Sequence, residues 1–191
     1  KMAKIELLVP HILRWEAGIV GTGTNEQLFE KARKTGFSDD PDDAGGATMI
    51  GVTITTFETY CKRKGYPKPT VERLKNIPYS QWLDIMKSMY WDKWQADKIV
   101  NQSIANVLVD WVWASGSYGI KIPQRLLKLQ DDGIVGPKTL SAVNSFNQET
   151  LFNLIQVARR AYIEDIIRRR PANAKFRTGW LNRINSFYYE G

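Results

Sequence analysis

The sequence predicts an all-α protein. Apolar residues recur at helical spacing through most of the chain, and strand-like alternation is scarce. Only the glycine-rich stretch 37–53 has the composition of a short β-hairpin. The first helix is marked by Ile5, Leu8, Val9, Ile12 and Glu16, which fall at i, i+3, i+4, i+7 and i+11, one face of a 3.6-residue period. Pro10 either kinks this helix or marks its true first turn. Residues 25–36 read as a second helix, with Asn25 as N-cap and Gly36 as its stop. Residues 80–94 place Trp82, Ile85, Met86, Met89 and Tyr90 at helical spacing after Ser80, and 103–115 do the same with Ile104, Val107, Leu108 and Trp111. A long helix over 149–170 carries Leu151, Leu154, Ile155, Ala158 and Tyr162, and ends in Arg168, Arg169 and Arg170 before Pro171. The last, over 174–188, carries Trp180, Leu181, Ile184 and Phe187. Glycine and proline cluster from Gly116 to Pro123, which sets a soft boundary between regions 1–120 and 121–191, expected to pack as one globular unit.

Composition narrows the function. A chain of 191 residues, 43% hydrophobic and 25% charged, is long enough to bury a core and is not composed like a disordered one. No run approaches the ~20 apolar residues that span a bilayer. The N-terminus, broken by Lys4 and Glu6, lacks the apolar core of a secretory signal. The single cysteine, Cys61, allows no internal disulfide and no zinc cluster. The single histidine, His11, supplies no histidine-rich metal site, and any serine–histidine or cysteine–histidine chemistry would have to run through it alone. An enzyme built from this chain without a cofactor works with carboxylates. The 27 basic against 20 acidic residues give a net charge of +7, which favours a polyanionic partner: nucleic acid, anionic cell wall or membrane surface. No nucleic-acid-binding module is recognisable, so that partner is not expected.

Three places carry the candidate chemistry. Glu16 continues the apolar stripe at the end of the first helix, beside Trp15. A carboxyl held against apolar surface has its charged form disfavoured, which is what a general acid needs; the plainer reading is a side chain escaping to solvent as the helix ends. The run Ser38-Asp39-Asp40-Pro41-Asp42-Asp43-Ala44-Gly45-Gly46-Ala47-Thr48 is a tight, carboxylate-rich loop. An EF-hand register starting at Asp40 puts Ala44 at the fifth position and Gly51 at the twelfth, where a glutamate belongs, so calcium is not expected. The loop is then either a solvated turn or a substrate-facing one whose aspartate and threonine bind hydroxyls and orient water. The run Asp132-Gly133-Ile134-Val135-Gly136-Pro137-Lys138-Thr139 reads as a helix–turn–helix connection, with glycine for positive φ and Pro137 opening a helix. Seven tryptophans, Trp15, Trp82, Trp91, Trp94, Trp111, Trp113 and Trp180, could stack on sugars but mostly reflect core packing. Arg168–Arg170 read as a solvated helix end, His11 as structural, and Cys61 as a buried small residue.

The ordered combination resembles glycoside hydrolase family 108, peptidoglycan muramidases of lysozyme-like helical fold, several labelled secretion activators. That family pairs a first-helix glutamate in a Glu-Gly-Gly context with Asp-Pro-x-Asp-x-Gly-Gly-x-Thr-x-x-Gly-Ile-Thr. Here these appear as Glu16-Ala17-Gly18 and as Asp40, Pro41, Asp43, Gly45, Gly46, Thr48 and Gly51 through Val52-Thr53, with the second spacing fully kept. The C-terminal part is similar to the family's predicted peptidoglycan-binding region through Gln124, Asp132-Gly133, Gly136-Pro137, Thr139 and Gly179-Trp180-Leu181-Asn182-Arg183.

The resemblance implies hydrolysis of the β-1,4 bond between N-acetylmuramic acid and N-acetylglucosamine. Glu16 would be the general acid and Asp43 the first candidate for the second carboxylate, with Asp40 second and Thr48 and Thr53 as hydrogen-bonding groups around the sugar. It implies no cofactor and no metal, peptidoglycan glycan strands as partner, and a cell-envelope, periplasmic or secreted location. The alternative is a non-catalytic wall-binding or secretion-associated protein. Three departures stand out: Ala17 replaces the first glycine, Ala114 stands where relatives place an asparagine, and roughly twenty residues, about 19–37, are inserted before the aspartate loop. The insertion reads as a short capped helix, with Leu28, Phe29 and Ala32 as a narrow apolar set, that tunes substrate access rather than holding the core together.

Overall fold

The computed structural model describes residues 1–42 and 45–191, so Asp43, the first candidate for the second carboxylate, lies outside the described residues. Among the described residues the chain forms ten α-helices: α1 (Val9–Ala17), α2 (Asn25–Ala32), α3 (Ile54–Lys64), α4 (Val71–Lys75), α5 (Tyr79–Met86), α6 (Gln102–Ser115), α7 (Tyr118–Leu126), α8 (Pro137–Ser145), α9 (Gln148–Arg169) and α10 (Arg177–Asn185). One antiparallel sheet of three short strands, β1 (Phe37–Ser38), β2 (Thr48–Met49) and β3 (Val52–Thr53), runs in the order β1-β2-β3. This is the mostly helical, lysozyme-like class that the sequence predicts. The contacts divide the chain into two compact units, residues 6–89 and residues 1–5 with 90–191.

In the unit of residues 6–89, Pro10 occupies the first turn of α1, where a missing N–H costs nothing, so it starts the helix and does not kink it. Leu8, Val9 and Ile12 of the predicted stripe are buried. The N-cap of α2 is Thr24, one residue before the expected Asn25. Its hydroxyl accepts the Gln27 amide while the Gln27 side chain accepts the Thr24 amide, a reciprocal capping box. The helix stops at Ala32, and Gly36 belongs to the approach to β1.

The expectation that the 19–37 insertion leaves the core alone is overturned. Leu28, Phe29 and Ala32 are all buried, and the Phe29 ring lies 5.3 Å from that of Tyr79 and 5.4 Å from that of Trp82. Apolar residues three and four apart on a capped helix bury one face, and here that face packs into the core. Leu28→Ala is therefore expected to cost about 2 kcal/mol or more of unfolding free energy in chemical denaturation. A loss within about 0.5 kcal/mol, the range of surface changes, would return α2 to the role of an appendage.

The helix expected over 80–94 holds only to Met86. A π-helical turn, Lys87–Trp91, and a 3-10 turn, Asp92–Trp94, complete the stretch. The Ser88 hydroxyl donates to the Asp84 carbonyl at 2.7 Å, a back-bond that competes with the regular ladder at this point.

In the unit of residues 1–5 and 90–191, α6 is buried from Ser103 through Val112 and packs on α7 and α9. Its N-cap is Asn101, whose side chain accepts the Ile104 amide. The glycine and proline near residue 120 are packing devices. A Cβ at Gly119 would meet the Val112 amide nitrogen of α6 at 2.6 Å, so only glycine lets α7 approach so closely. Pro123, inside α7, has no N–H to give the Gly119 carbonyl, and that oxygen instead accepts the Trp94 indole N–H at 3.3 Å.

The turn over 132–139 is a clasp around Gln124. The Gln124 amide nitrogen donates to Asp132 Oδ1 at 3.2 Å, the Ile134 carbonyl at 3.0 Å and Thr139 Oγ1 at 3.3 Å, while its oxygen accepts the Gly133 amide at 3.0 Å. Gly133 takes the positive φ of 74° and Pro137 opens α8, as the sequence reading has them. The segment expected as a helix over 174–188 is instead a 3-10 stretch, Pro171–Phe176, followed by α10, which ends before Phe187. Among the described residues no helix is long and apolar enough to cross a membrane.

Candidate active site

Glu16 is the penultimate residue of α1, half-buried, between the half-buried Trp15 and the buried Ala17. The Arg14 guanidinium lies over the Trp15 ring at 5.0 Å, a cation–π pair on the two residues that precede Glu16. The helix closes on Gly18, whose φ of 69° is left-handed and whose amide reaches the Arg14 carbonyl at 2.9 Å. Ala17 is therefore a helical residue, and the positive φ falls on the glycine that is kept. Replacing the first glycine by alanine leaves the cap geometry intact.

The C-terminal end of α1 is tied to the sheet. The Thr35 hydroxyl donates to the Ala17 carbonyl at 2.7 Å, and Thr35 stands two residues before β1. β1 pairs with β2 through Phe37↔Met49 and Ser38↔Thr48, and β2 pairs with β3 through Thr48↔Thr53 and Met49↔Val52. Thr48 and Thr53 are thus direct cross-strand partners. Thr48 is half-buried and its hydroxyl has no protein partner among the described residues. Thr53 is committed locally: it is the N-cap of α3, accepting the Thr56 amide at 3.1 Å and bonding the Thr56 hydroxyl at 3.0 Å. Asp40, just beyond β1, is exposed, and its Oδ1 accepts the Asp42 amide at 2.9 Å in an Asx turn that shapes the loop.

The turn joining β2 and β3 is strained, and its neighbours hold it. Ile50 has φ 45° and Gly51 φ 78°, the two positive values of a type I′ hairpin turn, although a β-branched residue disfavours that region. The Ile50 amide donates to the Gly36 carbonyl at 2.8 Å, the Ile50 carbonyl accepts the Trp82 indole N–H at 3.0 Å, and the side chain is fully buried. Strain kept in place from several directions is characteristic of functional sites. Sequence reasoning overlooked Ile50, Gly36 and Trp82 as supports; the only local signal was Gly51 between two threonines.

A Cβ at Gly36 would lie 2.4 Å from Ile50 Cγ1 and 2.8 Å from the Ala32 carbonyl oxygen. Gly36→Ala is expected to cost about 1–3 kcal/mol through overpacking and to lower activity along with stability, because it pushes on the turn that spaces the two threonines. A variant with unchanged unfolding free energy and unchanged activity would show that the turn tolerates displacement.

A neighbouring polar cluster was not visible in the sequence. The Tyr60 hydroxyl donates to Asp84, whose Oδ2 also lies 3.2 Å from Lys64 Nζ. The tyrosine bond and the lysine hold the Asp84 carboxyl below its ordinary range, while burial and Asp84 push the Tyr60 phenol up. A pocket of about 610 Å³ is lined by residues that include Cys61, Lys68, Arg73 and Gln81, and none of the expected site residues among the described residues lines it. Burial raises the Cys61 thiol, which disfavours the nucleophilic thiolate. Among the described residues no group of three or more histidine, cysteine, aspartate or glutamate side chains could hold a metal ion.

Comparison with known proteins places these elements. Residues 30–116 match the family described as Glycosyl hydrolase 108, and residues 118–185 match the one described as Predicted Peptidoglycan domain. The first match takes in the aspartate loop and both threonines and begins beyond Glu16. The solved structure of SagA from Brucella abortus is similar at 26% sequence identity and a TM-score of 0.68, over 84% of this chain and 91% of that one. No curated protein matches the chain.

Proposed function

Because residues 30–116 are a glycosyl hydrolase 108 segment and residues 118–185 a predicted peptidoglycan domain, we propose that the protein is an N-acetylmuramidase, with its catalytic region in 1–120 and its wall-binding region in 121–191. The observation that carries this reading is the bond from Thr35 to the Ala17 carbonyl, which anchors the helix end bearing Glu16 to the sheet that bears Thr48 and Thr53. A carboxylic acid at position 16, with Trp15 beside it, protonates the glycosidic oxygen as the bond to N-acetylglucosamine breaks. A second carboxylate stabilises the developing oxocarbenium ion or activates water. Its place in the loop motif supports Asp43, and Asp40 is second because one of its oxygens already shapes the turn. The Thr48 hydroxyl, without a partner among the described residues, is available to a sugar hydroxyl, and Thr53 fixes the strand–helix junction opposite it. This chemistry places the protein where peptidoglycan is, in the cell envelope or secreted.

Mass spectrometry of muropeptides after digestion of purified peptidoglycan tests the reading. Fragments ending in reducing N-acetylmuramic acid are expected. Tight wall binding without any released fragment would favour the non-catalytic binding protein. Digestion is also expected to proceed unchanged in EDTA, since the proposed groups are carboxylates and hydroxyls only. Loss on chelation, restored by one added divalent ion, would reassign the aspartate loop to metal binding.

A further inference from the structure

The pocket of about 610 Å³ belongs wholly to the unit of residues 6–89, and every described residue that lines it falls between Cys61 and Gln81. Its walls are fixed by short-range chemistry. Gly65 closes α3 with a left-handed φ of 75°, and the Tyr66 amide returns to the Cys61 carbonyl at 2.8 Å. The rings of Pro67 and Pro69 fix their own φ, and the Thr70 hydroxyl caps α4 by accepting the Arg73 amide at 3.1 Å. The pocket is therefore preformed. Tyr66, Pro67 and Pro69 give its lining apolar surface, and Lys68, Arg73 and Gln81 give it donors.

Both cations in the lining lack an anion. Arg73 Nη2 donates to Gln81 Oε1, a neutral acceptor, at 2.9 Å, and the guanidinium lies 5.8 Å from the Phe57 ring. Among the described residues no carboxylate pairs with Arg73 or with Lys68. From Glu58 to Asp84 the chain carries six basic residues against three acids, and none of the three lines the pocket. Glu72 Oε1 accepts the Asn76 side-chain amide at 3.0 Å, while Asp84 takes the Tyr60 hydroxyl and lies 3.2 Å from Lys64 Nζ. Burial pushes the Cys61 thiol up and the Arg73 charge pulls it back, so the field of that guanidinium reaches the pocket wall. A concentration of one sign of charge draws in the other. The Arg73 fork, with Nε and Nη1 uncommitted among the described residues, matches the planar geometry of a carboxylate.

We propose that this pocket binds a short acidic peptide with two carboxylates, one on the Arg73 fork and one on Lys68, and with its aliphatic part against Tyr66, Pro67 and Pro69. The glutamyl–diaminopimelyl part of a peptidoglycan stem peptide has this chemistry. That choice of peptide rests on the wall-hydrolase reading above, whereas the preference for a dicarboxylate rests on the lining. The volume also exceeds what a lone inorganic anion fills and is in the range of small organic ligands. Bound there, a stem peptide gives the unit of residues 6–89 a hold on the wall polymer that does not run through the sugars.

The probe is N-acetyl-L-alanyl-γ-D-glutamyl-meso-diaminopimelic acid, titrated into the full chain beside its fully amidated form and followed by NMR at the Tyr66 ring and the Gln81 side-chain amide. Saturable shifts at these groups are expected with the acid. The amidated form, which cannot make the charge-assisted fork, should bind weaker by about tenfold or more. Arg73→Gln should weaken the acid by a similar factor, and Lys68→Gln by about threefold, the scale of an exposed ion pair. Both side chains are exposed, so the melting temperature of each variant should stay at the parent value. Equal binding of acid and amide, parent affinity in either variant, shifts confined to other residues, or no shifts at all would overturn the proposal. So would inorganic phosphate or a poly(glycerol phosphate) chain binding here more tightly than the peptide, an outcome that assigns the pocket to phosphate polymers. The acid–amide comparison uses the parent protein alone, so it does not depend on a variant folding. Peptidoglycan digestion by the same preparation separates the two readings: digestion without peptide binding sinks the pocket alone, while peptide binding without digestion sinks the muramidase alone.

Discussion

Glu16→Gln is expected to lower the release of muropeptides from peptidoglycan by about 10²–10⁴-fold, the range for a lost general acid or base. Glutamine keeps the length and much of the hydrogen bonding of glutamate but has no proton to deliver to a leaving sugar. The position favours a clean result. Glu16 is at the half-buried end of α1, the helix is closed independently by Gly18, and the neighbouring Ala17 carbonyl is held by Thr35. Glutamine is nearly isosteric with glutamate and avoids burying a charge, so the melting temperature and glycan binding should change little. The second carboxylate is read from the same assay. A comparable loss in Asp43→Asn identifies it, whereas a mild loss there and a large one in Asp40→Asn moves the role to Asp40. Asp40→Asn keeps an acceptor for the Asp42 amide, so the turn survives the substitution. If Glu16→Gln digests peptidoglycan at the parent rate, Glu16 is not the acid.

Periodicity made α1 legible because Leu8, Val9 and Ile12 admit one burial face at its start, and all three are buried; Ile5 stands before it in a 3-10 turn. α6 and α9 were legible for the same reason, to within a residue or so of their ends. Other features depended on groups distant in sequence. The 116–123 stretch carries the local signature of a break, yet Gly119 is there to let α7 touch α6, and Pro123 leaves a carbonyl for Trp94. Neither partner is visible locally. α3 was not separately foreseen: it opens Ile54-Thr55-Thr56, β-branched residues that favour strand, and its start is fixed by the Thr53 cap. The insertion helix was legible as a helix but not as core, since three apolar residues on a short segment do not say what they pack against.

The candidate site divides along the same line. The motif residues Glu16, Asp40, Thr48 and Thr53 are legible as types at a spacing, and the structure adds which hydroxyls are committed and which are open. The left-handed Ile50 that turns Thr48 back onto Thr53 is held by Gly36 and Trp82, one a carbonyl 14 positions earlier and the other an indole 32 positions later. No local propensity would have put a β-branched residue there. The site is therefore sequence motif on a scaffold of long-range contacts.

Asp110→Asn is expected to destabilise the protein by about 3–5 kcal/mol, the scale for removing one partner of a buried ion pair. Asparagine is neutral and turns an N–H donor toward guanidinium groups that are themselves donors only. Arg159 is almost wholly buried and cannot follow its charge into solvent. The pH dependence gives an independent check. Burial alone would raise the Asp110 carboxyl, but Arg183 and Arg159 outweigh it and hold the group below its ordinary range in the folded state. The unfolded chain therefore takes up the proton first as pH falls. The stabilisation is complete above the ordinary carboxylate range and is lost as pH drops through the lower folded value. The parent's stability curve carries this acid-side slope and the Asp110→Asn curve lacks it, so the two should converge on acidification. Chemical denaturation of both proteins across an acidic pH series reads the effect. Parallel curves, or a loss below about 1 kcal/mol at neutral pH, would mean that the two arginines are satisfied by other anions or water without Asp110.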